Sequence, residues 1–310
     1  MPIVKPAEMD FSNKNIIMII DGLPGTGKST IANSAPDPLS IDTDEGTARV
    51  KPEHRIDTSV CKTYEEVLQD IKAAENHYKT IVIDTCGALI EYMKEWAMRT
   101  DPKASKKDGG FSLQGYGIIK SEFIRLSAEL RKKFNVVFLF HDSMTKVDEN
   151  IFYELVVEGA TRTLVYQPAD LAAHLFIQNG KRYLGFTPTE QYSAKSAYGI
   201  SGLVEVPELK PGDPNDFLTK LFDKVRANLA AESATLTPQK QKYEWAMADA
   251  KKIVETVNEP ADVQVAADGI KALDHALTSK KEALDMLRKR CDEKGIVYDK
   301  AAKAYVKKAE

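Results

Sequence analysis

The chain has 310 residues, 43% of them hydrophobic and 29% charged, and a formal net charge of −3. That length accommodates one sizeable α/β domain and a smaller appendage, and the near-neutral balance excludes a globally basic nucleic-acid binder, so any such contact must come from a local patch. No run approaches the roughly 18 apolar residues of a membrane span, and residues 1–15 lack the apolar core of a signal peptide, so a cytoplasmic protein with no membrane partner is expected.

In chain order, residues 1–14 are polar, contain two prolines and read as an N-terminal arm. A first strand is predicted over residues 15–21, where Ile16, Ile17, Met18, Ile19 and Ile20 form an unbroken apolar run. The helix that follows is short, because Pro36 and Pro38 forbid its continuation. A second strand covers 39–42, an amphipathic helix 64–77, and a third strand 80–84, whose run Ile81, Val82, Ile83 suits a strand buried on both faces of a parallel sheet. Helix signals over 89–98 give way to a polar loop, 99–110, with a Gly-Gly pair. A long helix spans roughly 116–134 and a fourth strand 136–140. Residues 145–166 alternate as a strand pair, and Asn179-Gly180 marks a hairpin. The Pro-rich stretch 207–214 is a linker or surface loop, a helix follows over 217–229, and Thr237-Pro238 reads as the start of a small α-helical region reaching residue 310. Strands alternating with helices predict a mostly parallel central sheet flanked by helices. The expected domains are therefore 15–230 and 237–310.

The chemistry concentrates at residues 22–30. Gly22, Pro24, Gly25, Thr26, Gly27, Lys28, Ser29 and Thr30 lie between a strand and a helix, with the glycine spacing that lets backbone N–H groups curl round phosphate oxygens. Lys28 supplies positive charge to the β and γ phosphates, Ser29 offers a hydroxyl to Mg²⁺, and the helix N-terminus adds its own positive end. Hydrolysis further requires a carboxylate for the magnesium shell, a group that orients water, and a sensor of the terminal phosphate. Asp84, at the carboxyl end of the third strand, fits the first role and joins Ser29 as a metal ligand. Asp44 and Glu45 both follow the second strand and are alternative water-orienting carboxylates. His141 and Asp142 sit at the tip of strand four, where either can meet the γ phosphate or the water. Cys61, Cys86 and Cys291 have no metal or disulfide spacing and read as ordinary thiols.

Residues 22–30, Ile41-Asp42-Thr43-Asp44-Glu45-Gly46-Thr47, Ile81-Val82-Ile83-Asp84-Thr85 and Phe138-Leu139-Phe140-His141-Asp142 together resemble, in order and spacing, the ATPase core of the RecA and RadA recombinases. They are closer still to phage-encoded P-loop nucleotide-binding proteins, the RecA-like ATPases of single-strand annealing. The likeness covers about residues 15–190. It implies a RecA-like P-loop NTPase fold, ATP and Mg²⁺ as cofactors, and slow or DNA-stimulated hydrolysis. It also implies a homo-oligomer completed by a neighbour's cation, with Arg162, Lys181 and Arg182 as candidates. Single-stranded DNA is the implied partner, with other phage recombination or replication proteins, in the host cytoplasm. Where recombinases usually place a glutamine at the strand-four sensor, this chain has His141-Asp142.

The family contacts DNA through two loops, which correspond here to residues 99–114 and 143–163. The first carries Arg99, Lys103, Lys106 and Lys107 against Asp101 and Asp108, with Phe111 available to stack on a base. A solubilising loop tip explains the same residues. The second loop is acidic on balance. Residues 286–310 hold eight Lys or Arg against four Asp or Glu, including Arg288, Lys289 and Arg290. A small-molecule or nucleotide kinase, or a non-hydrolysing nucleotide-dependent assembly factor, remain the alternative functions.

Overall fold

The computed structural model describes residues 14–147, 150–158, 161–299 and 302–308. Apart from Lys14, the expected N-terminal arm lies outside the described residues, as do four residues of the second loop. The chain divides into two compact units, one covering Lys14–Asn228 and the other running from Leu229 onward.

In the larger unit the elements run β1 (Ile17–Gly22), α1 (Lys28–Ala32), β2 (Pro38–Asp42), β3 (Thr58–Val60), α2 (Tyr64–Ala73), β4 (Thr80–Asp84) and α3 (Cys86–Thr100). They continue with α4 (Leu113–Lys133), β5 (Asn135–Val147), β6 (Asn150–Leu155), α5 (Thr161–Leu164), β7 (Leu171–Gln178), β8 (Lys181–Gly185) and β9 (Leu203–Val206), and then the start of α6 (Phe217–Glu255). The sheet order is β3-β2-β4-β5-β1-β7-β8-β9, with β6 added to β5. The six strands from β3 to β7 in that order are parallel; β8 and β9 extend the edge antiparallel, and β5 pairs β6 antiparallel.

The apolar runs explain the centre of this sheet. Every residue of β1 and β4 is buried, as expected where helices cover both faces of a parallel sheet. On one face Ile17, Ile19, Ile81, Ile83, Val136 and Phe138 pack with Leu89 and Met93 of α3 and with Phe123 and Leu126 of α4. Asp170 secures the start of β1: its Oδ2 accepts the Ile17 amide at 2.9 Å and its Oδ1 the Lys14 ammonium at 2.7 Å.

Four elements differ from the sequence reading. β3 and β9 are short edge strands, and β5 runs well past residue 140 to form a hairpin with β6. The residues from 237 onward do not begin a helix at Pro238; α6 continues through it. The smaller unit holds the remainder of α6, then α7 (Pro260–Ala272), α8 (Ser279–Glu293) and a hairpin of β10 (Ile296–Asp299) with β11 (Ala304–Lys307). Its core is Ala250, Val254, Val257, Val263, Ile270, Leu287 and Ile296. Pro260 opens α7, where Asp262 accepts the amides of Asn258 and Glu259 at 3.0 and 2.9 Å.

Candidate nucleotide site

β1 delivers the chain into residues 22–30 at the carboxyl edge of the parallel strands, where ligands of open α/β sheets bind. Gly22 is required by close approach: a Cβ there falls 2.5 Å from the Leu175 carbonyl of β7. Gly27 precedes α1 at φ 102°, a left-handed conformation that glycine adopts without penalty. Lys28 turns back over this loop, its Nζ donating to the carbonyls of Gly22 at 2.8 Å and Leu23 at 3.0 Å. Burial pushes the Lys28 pKa down, against the pull of Asp142, Asp84, Asp21 and Asp44. An anionic ligand at this ammonium therefore relieves an existing electrostatic cost.

The acid side of the site is assembled by three adjacent parallel strands. β4 ends at Asp84, whose Oδ2 accepts the Ser29 hydroxyl at 2.6 Å. Burial raises the Asp84 pKa to about 6 despite that hydrogen bond. β2 ends at Asp42, and its carboxylate accepts the Gly46 amide at 2.9 Å, the Thr47 amide at 2.9 Å and the Thr47 hydroxyl at 2.7 Å. Burial acts to raise the Asp42 pKa, but these hydrogen bonds outweigh it and the net shift is downward. Asp42 thus shapes the turn that presents Asp44. β5 supplies His141, whose Nε2 lies 3.8 Å from Asp44 Oδ2. Burial, then Lys28, lowers the His141 pKa, leaving it neutral at pH 7.

Lys28, Ser29, Asp44, Asp84 and His141 line one cleft of about 160 Å³ together with Gly25, Gly27, Thr30 and Arg49. Glu45 does not line it: its side chain is 70% exposed and pairs with Lys62 at 3.3 Å. Pro24 is exposed, and Thr26 is buried with its hydroxyl donating to the Leu23 carbonyl. His141 and Asp142, equivalent at the level of sequence, diverge here. Neighbouring strand residues face opposite sides of a sheet, and Asp142 is directed away from the cleft toward His174.

The residues fit a nucleoside triphosphate with its magnesium. Among the described residues Asp44 Oδ1 and His141 Nδ1 are buried without hydrogen-bond partners, and a serine hydroxyl and a carboxylate already meet, as they would around a hard cation.

An adjoining cleft of about 280 Å³ shares Gly27, Thr30 and Arg49, and adds Lys51, His54, Arg182, Val206, Pro207 and Phe217. Asn215 positions this wall by donating to the Thr30 carbonyl at 2.9 Å, and Ser34 Oγ accepts the Leu218 amide at 2.8 Å. Sequence reasoning missed most of these residues. Arg49, seven residues beyond a strand end in the acidic turn, carried a usable signal; nothing local marked the others. Arg182, expected among cations acting on a neighbouring chain, donates its Nε to the Thr26 carbonyl of its own chain at 2.9 Å. Lys181 pairs with Glu205 and Arg162 with Glu154. Arg182→Ala is expected to weaken nucleotide binding about tenfold, the scale of one charge-assisted hydrogen bond. Titration with a fluorescent ATP analogue measures it, and unchanged affinity assigns Arg182 to shaping the loop alone.

A glycine-cradled loop at the carboxyl edge of a parallel sheet, with lysine, serine and strand-end aspartate converging, defines a nucleotide-binding protein of the P-loop NTPase class. The model of a family described as AAA domain matches residues 14–198. The chain belongs to that family. No curated protein matches it.

Proposed function

We propose that this protein is a Mg²⁺-dependent ATPase of RecA-like type whose nucleotide state controls single-stranded DNA binding or annealing in phage recombination. The observation that carries the hydrolytic part is the convergence of Asp44 from the turn after β2, Asp84 from the end of β4 and His141 from β5 on the cleft that holds Lys28 and Ser29. On ATP binding, the Lys28 ammonium exchanges its two carbonyl partners for β and γ phosphate oxygens. Ser29 and Asp84 hold Mg²⁺, which when bound neutralises charge on the phosphates. Asp44 takes a hydrogen bond from the attacking water and orients it. Neutral His141, beside Asp44, presents a ring N–H to the water or the terminal phosphate.

The DNA part rests on the resemblance and on one stretch of surface. Lys103, Lys106 and Lys107 are exposed in the loop between α3 and α4, with no ion pair among the described residues. The rest of that loop is otherwise engaged. Arg99 pairs with Glu65 at 2.9 Å, and Phe111 packs edge-on against Tyr116 with ring centroids 5.0 Å apart. In the smaller unit, Arg290 donates to the Val257 carbonyl at 3.1 Å, while Arg288 and Lys289 are exposed. The resemblance also carries a homo-oligomer and other phage recombination or replication proteins as partners.

ATP turnover measured with and without single-stranded DNA tests the reading. Stimulation by DNA supports it; phosphate transfer to an added acceptor, or tight ATP binding with no turnover, overturns it. Replacing Lys103, Lys106 and Lys107 by Glu is expected to weaken DNA binding and to flatten the slope of log affinity against log salt by about 2, at roughly 0.7 per phosphate contact on a single strand. An unchanged slope moves the DNA contact away from this loop.

A further inference from the structure

Behind the phosphate-binding loop lies a second polar cluster that the proposed hydrolysis does not use. Asp21 ends the apolar run of β1, Asp142 lies one residue beyond His141 on β5, and His174 stands on β7, paired in register with Asp21. All three side chains are at most 4% exposed. His174 Nδ1 lies 2.9 Å from Asp21 Oδ2 and 3.0 Å from Asp142 Oδ2. A single ring nitrogen carries at most one proton, and one N–H cannot satisfy two carboxylates. Among the described residues Asp142 has no hydrogen bond at either oxygen, and Asp21 Oδ1 also has none. Aromatic rings pack round the imidazole: Tyr192 stacks at 4.6 Å and Tyr153 lies tilted at 4.7 Å. Both tyrosines also line a cleft of about 310 Å³ that opens beside the cluster.

Two carboxylates and an imidazole buried together need a shared positive charge, which a proton on the ring or a bound cation supplies. One ligand atom from each side chain lies within 4.8 Å of the others. In a tetrahedral zinc site with bonds of about 2.0–2.1 Å, neighbouring ligand atoms are about 3.4 Å apart, so the two measured separations need to open by only a few tenths of an ångström. Mixed nitrogen and carboxylate ligands of this kind suit zinc better than magnesium, which prefers an all-oxygen octahedron.

We propose that Asp21, Asp142 and His174 bind one divalent zinc-type ion, clamping β1, β5 and β7 together beneath the phosphate-binding loop. The ion takes Nδ1 of His174 and one oxygen from each aspartate; the protonated ring gives up its Nδ1 proton to solvent and keeps the one on Nε2, and the ion is separate from the magnesium position at Ser29 and Asp84. The clamp acts on the nucleotide site through Asp21, whose successor Gly22 receives Lys28.

Metal content and Zn²⁺ titration of the full chain, stripped with a chelator and free of nucleotide, test this. About one equivalent of zinc per chain is expected, with a rise in melting temperature on adding zinc. His174→Asn should abolish both effects, and the near-isosteric Asp142→Asn, which keeps the fold if the histidine change does not, should weaken binding at least tenfold. The Ser29→Ala, Asp84→Asn double variant should retain the zinc. The proposal is overturned if the wild-type chain takes up no zinc and its melting temperature does not move. It is equally overturned if Asp142→Asn binds as wild type, or if the zinc is lost with the Ser29 and Asp84 changes, which places it at the nucleotide site.

Discussion

Lys28→Ala is expected to abolish useful ATP affinity while leaving the chain folded. Among the residues lining the cleft, Lys28 is the buried cation at the loop, and the phosphates it serves carry most of the ligand's charge. Truncating one partner of a buried, hydrogen-bonded charge pair costs about 2–5 kcal/mol, or roughly 30- to 5,000-fold in affinity. The fold does not share that dependence. Burial lowers the Lys28 pKa below its unfolded value, so the charged amine destabilises the ligand-free folded state at neutral pH. Removing it leaves the melting temperature without nucleotide unchanged or higher, whereas wild-type chain gains stability on adding ATP and the variant does not. Isothermal titration together with thermal melting separates the two effects; undiminished ATP affinity in the variant would falsify the phosphate-loop assignment.

The second large effect distinguishes Asp44 from Glu45. Asp44→Asn keeps the size and placement of the side chain but removes its ability to accept a proton from water. Turnover is expected to fall by about 10²–10⁴-fold, the range of general base catalysis, with ATP affinity changed much less. Glu45→Gln alters a side chain that is 70% exposed and paired only with a surface lysine, so turnover should stay within about twofold of wild type. A steady-state comparison of the two variants decides the matter: if the Glu45 change is the damaging one, the turn rearranges when nucleotide binds and the geometry described above is not the reacting one.

How far the sequence was legible depended on how local each signal was. The run Ile81-Val82-Ile83 predicted a strand over 80–84, and β4 occupies those residues, because an uninterrupted apolar stretch has no stable place except inside a covered sheet. Asn179-Gly180 likewise marked the β7–β8 turn. Thr58–Val60 and Leu203–Val206 gave no comparable signal. They are edge strands of three and four residues, partly exposed, and hold their conformation through the neighbour they pair with. Pro238 read as a helix start because it lacks an N–H to donate. That loss, about 3 kcal/mol in a helix interior, is borne by a 39-residue helix that continues on both sides of it.

By itself the sequence determined that a phosphate-binding loop follows a buried strand and that carboxylates stand at the ends of others. Each of those features is written within a few consecutive residues. Only the tertiary structure decided which side chains meet. The hydrogen bonds to Asp42 fold the turn that brings Asp44 into the cleft and turns Glu45 out of it. Alternation along β5 sends His141 to the nucleotide side and Asp142 to His174. Arg182 reaches the carbonyl of Thr26 across 156 residues of sequence because β8 is carried to that edge of the sheet by β7. Charge and hydrogen bonding act over a few ångströms of space, and strand pairing, which no single segment encodes, sets those distances.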